Sequence, residues 1–141
     1  MTAAHAVSIA VTFVWLGMVV AISFLEAPLK FRAPGVTVRL GLGIGRLVFR
    51  ALNVTEVVWA ALLVAGLLVG GLPAGVLAAG ATAVAVLVVQ LVGVRPRLTR
   101  RSDRVLAGEE VPRSHAHYAY IGLEVVKVVA LLVAGILLLG A

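Results

Sequence analysis

Four long apolar runs make up most of this chain, and the charged residues are confined to the stretches between alternate runs. No Asp, Glu, Lys or Arg occurs in residues 1–25, 57–94 or 128–141. About 20 consecutive apolar residues are enough to cross the hydrocarbon core of a bilayer. A water-soluble protein of 141 residues could not bury four such runs, so the pattern indicates a membrane protein.

The runs predict an all-α fold, with four transmembrane helices in one bundle that forms a single domain over residues 1–141. Helices are expected because a span that faces lipid must satisfy its own backbone hydrogen bonds. The predicted helices cover about residues 6–25, 46–70, 74–94 and 117–139, and the basic links cover residues 26–45 and 95–116. A short Gly/Pro turn separates the second and third helices.

The distribution of basic residues predicts the orientation. Lys and Arg occur in the first and third links but not in the second link or at either terminus. The positive-inside rule therefore places both basic links in the cytoplasm and both termini outside (N-out/C-out), in a multi-pass protein of the plasma membrane. Orientation also accounts for the net charge of +6, so no nucleic-acid partner is predicted. Cysteine is absent, which excludes disulfides and thiolate metal sites.

The basic third link has two interpretations. Arg100, Arg101 and Arg104 are spaced to share one side of a helix. The segment Arg95–Arg104 could therefore bind anionic lipid headgroups as a surface helix. Alternatively, it is a solvated link that only determines topology.

Charged and polar residues within the spans form the candidate site, because such residues are costly in lipid and mark function by default. On the second helix and on the fourth, four of them share one helical face, and a further pair lies at the end of the first helix. The predicted binding residues are Glu26, Lys30, Arg46, Arg50, Asn53, Glu56, His117, Tyr120, Glu124 and Lys127. Together they predict a cone of charge that opens to the cytoplasm and narrows at mid-membrane.

Lys127 is expected at the deep end of this cone. At about 1.5 Å per residue, Glu56 and Lys127 both reach the middle of the membrane. We therefore expect Glu56 and Glu124 to flank Lys127. The cluster could bind an ion or small polar solute, or it could be an internal ion pair that only fixes helix register.

The histidines were considered as cofactor ligands. His5 and His117 lie about a membrane thickness apart and cannot ligate one iron, and His115 and His117 point to different sides of a helix. No cofactor, metal site or catalytic residue is predicted, although haem with a single ligand stays open. A membrane oxidoreductase would need an acid–base set, for which His117, Tyr120 and Glu124 are the candidates.

The third helix carries small residues and no charge. We expect it to have no polar face to bury and to lie at the edge of the bundle, with Ala79 and Ala83 facing lipid or a second copy in a homodimer. Gly41, Gly43 and Gly45 do not match a phosphate loop, and they predict a closely packed or flexible start to the second helix.

Several short motifs resemble a known family. They are Trp15-Leu16-Gly17-Met18, the segment from Phe24 to Arg32, Val48-Phe49 and Pro96-Arg97-Leu98-Thr99. The chain resembles the small four-helix membrane proteins that include the eukaryotic transmembrane protein 205 group and related bacterial proteins. The resemblance implies a fold and a topology, but no reaction.

The leading function hypothesis is a transporter or channel for a small ion or polar solute, with a charged pocket open to the cytoplasm. The alternatives are a structural or assembly subunit with internal ion pairs, and a membrane oxidoreductase that acts on a lipid-soluble substrate. Whether the protein is an enzyme stays open, and the sequence favours a non-enzyme.

Overall fold

A computed structural model describes all residues from Met1 to Ala141 as an antiparallel bundle of four long helices without strands. Helix α1 covers Ala3–Arg32, α2 Val38–Val69, α3 Ala74–Leu106 and α4 His115–Gly140. Each is long and apolar enough to cross a membrane. The all-α fold and the four-helix bundle are therefore confirmed.

The two termini meet at one end of the bundle. Thr2 caps α1 by accepting a hydrogen bond from the His5 backbone N–H at 3.1 Å. The His5 imidazole Nε2–H in turn donates to the Leu138 carbonyl of α4 at 2.7 Å. His5 is thereby buried, which ties the first turn of α1 to the last turns of α4.

The helices are longer than the sequence indicated, and the basic links are correspondingly shorter. The predicted links 26–45 and 95–116 reduce to residues 33–37 and 107–114. Thr37 caps α2 by accepting from the Leu40 N–H at 3.1 Å, and α3 runs on through the arginine-rich segment to Leu106. Polarity marks where a span leaves lipid but not where its helix ends, because arginine is itself a good helix former.

Glycines allow close approach at two of the crossings. The Phe31 ring lies directly over Gly41, and the Lys30 ammonium lies 2.8 Å from where a Cβ of Gly45 would stand. The close packing expected at the start of the second helix is thus confirmed. On the outer half, Gly66 of α2 receives Ser8 of α1 in the same way.

The third helix is not peripheral, which corrects the sequence expectation. It packs along α4, and Ala83, expected to face lipid, is 0% exposed within the core. Helix α3 also buries one polar side chain, Gln90, completely. Its apolar composition hid this role, because one residue is enough to supply polar contacts to a buried cluster.

Two segments are π-helical, Val20–Glu26 in α1 and Gln90–Val94 in α3. A proline follows each by two residues, Pro28 and Pro96. Proline has no N–H to donate, and its ring clashes with the carbonyl four residues earlier. Each proline therefore gives a local cause for the switch from i→i+4 to i→i+5 bonding, a feature that recurs at functional sites.

Candidate functional site

Lys127 is the centre of a polar layer buried within the bundle. It lies at the midpoint of the 26-residue helix α4 and is 0% exposed. Its ammonium Nζ donates to Glu56 Oε1 at 2.8 Å and Oε2 at 3.1 Å, and lies 2.6 Å from Glu124 Oε1. The predicted flanking of Lys127 by Glu56 and Glu124 is confirmed.

Neutral side chains from the remaining helices complete the layer. Gln90 of α3 accepts from Lys127 at 2.8 Å through Oε1, and its Nε2 donates to Glu124 Oε1 at 3.2 Å. Ser23 of α1 donates its hydroxyl proton to Glu124 Oε2 at 2.7 Å. All four helices therefore contribute a side chain to one hydrogen-bonded cluster, which we call the deep polar layer (Ser23, Glu56, Gln90, Glu124 and Lys127).

Both neutral members of the deep polar layer come from the π-helical segments. Ser23 lies within Val20–Glu26, and Gln90 is the first residue of Gln90–Val94. The wider turn changes which side chains face the interior. Sequence reasoning missed the role of Gln90 and gave Ser23 only a place on a polar stripe. Pro28 and Pro96 were the available signal, since each marks a break in regular α-helical bonding.

Charge in the deep polar layer does not balance. With all groups ionised, two carboxylates face one ammonium and leave one negative charge in excess. Apolar clusters enclose the layer on both sides, with Trp15, Leu63 and Leu131 in the outer one and Val94, Ala116 and Tyr120 in the inner one. In such a low-dielectric position, an additional cation or proton is strongly attracted.

A second polar group lies on the cytoplasmic side of the layer. Lys30 pairs with Glu26 at 3.6 Å and lies 5.8 Å from the Phe49 ring centroid. The Arg95 guanidinium lies 5.1 Å from the Phe49 centroid and 4.5 Å from that of Tyr120. Sequence reasoning assigned Arg95 to the headgroup-binding segment only. Its Nε and Nη2 are buried without a hydrogen-bond partner, so they are free to bind a ligand or water.

Only part of the predicted cone comes together. Asn53 is buried beside the deep polar layer and donates from Nδ2 to Glu56 Oε2 at 3.5 Å. Arg46 instead pairs with Asp103 near the cytoplasmic end of α3. Arg50 is exposed and makes no ion pair. Arg46 and Arg50 were therefore wrongly placed in the cone, because their helical face lies at the rim, where long side chains turn outward.

The candidate acid–base set is not joined by hydrogen bonds. His117 is half-buried and packs edge-on against Tyr118 at 5.5 Å between ring centroids. Tyr120 packs edge-on against Phe49 at 6.1 Å, and its hydroxyl makes no bond within the hydrogen-bond criteria. Glu124 is engaged in the deep polar layer.

Buried polar residues continue outward from the layer along α1. His5, Ser8, Thr12 and Trp15 are all buried and share the face that α1 turns to the interior. Thr12 Oγ1 and Trp15 Nε1 have no hydrogen-bond partner. Buried polar atoms without partners are rare in folded proteins. This interior stripe therefore offers free polar groups on the outer side of the deep polar layer.

Comparison with protein families, curated proteins and solved structures finds no match to this chain.

Proposed function

We propose that this protein is a transporter or channel for a small ion or polar solute, with the deep polar layer as its binding site. The observation that carries the proposal is the competition of Glu56 and Glu124 for one ammonium, at 2.8 Å and 2.6 Å. The excess negative charge favours a proton or a small monovalent cation over an anion. Charged residues at membrane depth mark ion and proton pathways in many membrane proteins.

Polar groups on both sides of the layer support a path rather than an isolated pair. Arg95 and Tyr120 have free buried atoms on the cytoplasmic side, and Thr12 and Trp15 have them on the outer side. A permeating proton or ion needs successive sites that bind it weakly enough to release it. In the proposed mechanism, Lys127 moves between Glu56 and Glu124, and the carboxylate that it leaves takes up the ion.

The proposed location is the plasma membrane, with both termini outside. In this orientation, Arg95 and Lys30 lie at the cytoplasmic mouth of the path, as the positive-inside rule requires.

Flux through reconstituted protein tests the proposal. Liposomes with an internal pH dye, and a second set with a sodium dye, are subjected to a potassium diffusion potential. We expect flux above that of empty liposomes, and a loss of about tenfold or more in Glu124→Gln. The matched control is Glu109→Gln, which removes an exposed carboxylate bonded to Arg104 at 3.1 Å and should leave the flux unchanged.

A structural or assembly subunit is the second candidate, and one observation favours it. The Lys127 ammonium has three partners, and both Glu124 oxygens accept a hydrogen bond or an ion pair. A cluster so fully satisfied can fix the register of four helices and do nothing else. Absence of flux, with no cation-dependent thermal stabilisation of the folded wild-type protein, would favour this function over transport.

A homodimer is part of the proposal. An apolar groove of about 350 Å³ runs between α3 and α4, lined by Ala79, Thr82, Val126, Val129 and Val133. Small residues on such a face permit close helix approach. Thr82 replaces the buried Ala83 as the cross-linking position, and Thr82→Cys should give disulfide-linked dimers upon oxidation. Dimers trapped only through a cysteine at Val54, on the exposed face of α2, would contradict this interface.

A further inference from the structure

A strongly basic groove lies outside the deep polar layer, at the cytoplasmic end of the bundle. It lies between the last turns of α3, the link 107–114 and the first turn of α4, with a volume of about 380 Å³. Its charged and polar lining consists of Arg97, Arg100, Arg101, Arg104, Ser114 and His115. Four guanidinium groups facing one groove repel each other unless an anion is bound between them.

The neighbouring carboxylates do not neutralise the groove. Asp103 pairs with Arg46 of α2, and Glu109 pairs only with Arg104, at 3.1 Å. Arg97 and Arg100 make neither a hydrogen bond nor an ion pair within the protein. Two complete guanidinium forks are therefore available to an external anion.

The link is held in place as the second wall of the groove. Arg101 Nε donates to the carbonyls of Val111 and Pro112, each at 3.1 Å. This anchors the segment that leads to Ser114, the N-cap residue of α4, whose side chain makes no capping hydrogen bond. The free N–H groups and the dipole at the start of this helix add positive potential to the side opposite the arginines.

The depth of the groove indicates where its ligand comes from. Val94 is the last residue of the uncharged run in α3, and Arg97 and Arg100 follow it by three and six residues. At about 1.5 Å per residue they lie roughly 5–9 Å beyond the apolar span. The headgroup layer occupies about 5–7 Å on each side of the hydrocarbon core, so both forks lie at the level of lipid phosphates.

We propose that this groove is a binding site for an anionic phospholipid with a terminal phosphate monoester, held by Arg97 and Arg100. A phosphate monoester carries a charge of about −1.5 to −2 and three terminal oxygens, which suits two bidentate guanidinium contacts. A phosphodiester headgroup offers one charge and fewer free oxygens. This site is independent of the transport function proposed above.

Native mass spectrometry of the full-length protein in detergent tests the proposal. Short-chain phosphatidic acid, phosphatidylglycerol and phosphatidylcholine are the probes. We expect phosphatidic acid to bind at least severalfold more tightly than phosphatidylglycerol, and Arg97→Gln/Arg100→Gln to weaken it about tenfold. The matched control, Arg32→Gln/Arg39→Gln, removes the same charge from exposed residues outside the groove and should change the affinity less than twofold.

Further arms make the result decisive. Arg97→Lys/Arg100→Lys keeps the charge but not the forks and should recover only part of the affinity. Equal loss in the control double variant would show diffuse attraction to a basic surface and overturn the proposal. Binding of inorganic phosphate as tight as that of phosphatidic acid, and abolished by the same groove variant, would assign the site to a soluble phosphate instead.

Discussion

Ion pairs occur in two regions of this bundle, the deep polar layer and the cytoplasmic rim, and the two regions use the same chemistry under different conditions. Lys127 and Glu56 are both 0% exposed, whereas the side chains of Arg46 and Asp103 are 41% and 53% exposed. Water solvates either partner at the rim if the other is lost. In the deep polar layer no water replaces a lost partner, so each group there depends on all its neighbours.

The topology is the first condition for this comparison, because the rim is a rim only if it faces the cytoplasm. We expect cysteines introduced at Gly108 and Ala141 to react in opposite ways with a membrane-impermeant maleimide applied to intact cells. Ala141→Cys should label fully, and Gly108→Cys should label only after permeabilisation. The native chain contains no cysteine and is its own blank. The reverse pattern would place the basic groove outside the cell.

The largest energetic effect is expected from Lys127→Met. Removing the ammonium leaves two carboxylates without their counter-charge, and breaking a buried pair in this way costs about 3–5 kcal/mol of the free energy of unfolding. SDS titration of the purified protein measures this loss. The double variant Lys127→Met/Glu56→Gln should be more stable than Lys127→Met alone.

That double variant also distinguishes the functions. If the effects of the two substitutions simply add, the residues are not coupled and the described contact is wrong. If the double variant regains stability but carries no ion flux, the deep polar layer acts as a site and not only as a structural contact.

A smaller effect is expected from Gln90→Leu, which keeps the volume of the side chain and removes its contacts with Lys127 and Glu124. The expected cost is about 1–3 kcal/mol, since charged partners lose a hydrogen bond in a buried position. Thr82→Val on the same helix is the control, because the exposed Thr82 hydroxyl bonds only the Ala78 carbonyl, at 2.8 Å. Similar losses for both variants would mean that Gln90 contributes no more than a surface residue.

The smallest effect is expected at the rim. Asp103→Asn should cost less than about 1 kcal/mol, because exposed ion pairs contribute little and are screened by salt. The same titration in low and high salt checks this value. A loss above about 2 kcal/mol that persists at high salt would show that the rim pair behaves like a buried one and would remove the contrast between the regions.

Most of the site could be read from residue spacing. Asn53 and Glu56 on α2, and Tyr120, Glu124 and Lys127 on α4, are buried polar residues in an otherwise apolar background, and burial brings such groups together. Arg50 was misplaced because spacing gives a helical face but not the tilt that brings this face to the interior or to the rim. Gln90 was missed because it is a single neutral residue on an apolar helix.

The sequence by itself determined the class of the protein, the number of helices and the presence of buried charge, because the bilayer imposes length and polarity on every span. Only the tertiary structure decided that all four helices contribute to one layer and that Ser23 and Gln90 complete it. It also decided that Arg97 and Arg100 stay unpaired beside the start of α4. These outcomes depend on helix rotation, on two π-helical turns and on residues distant in sequence meeting across the bundle, and periodicity along one helix carries no information about a neighbour.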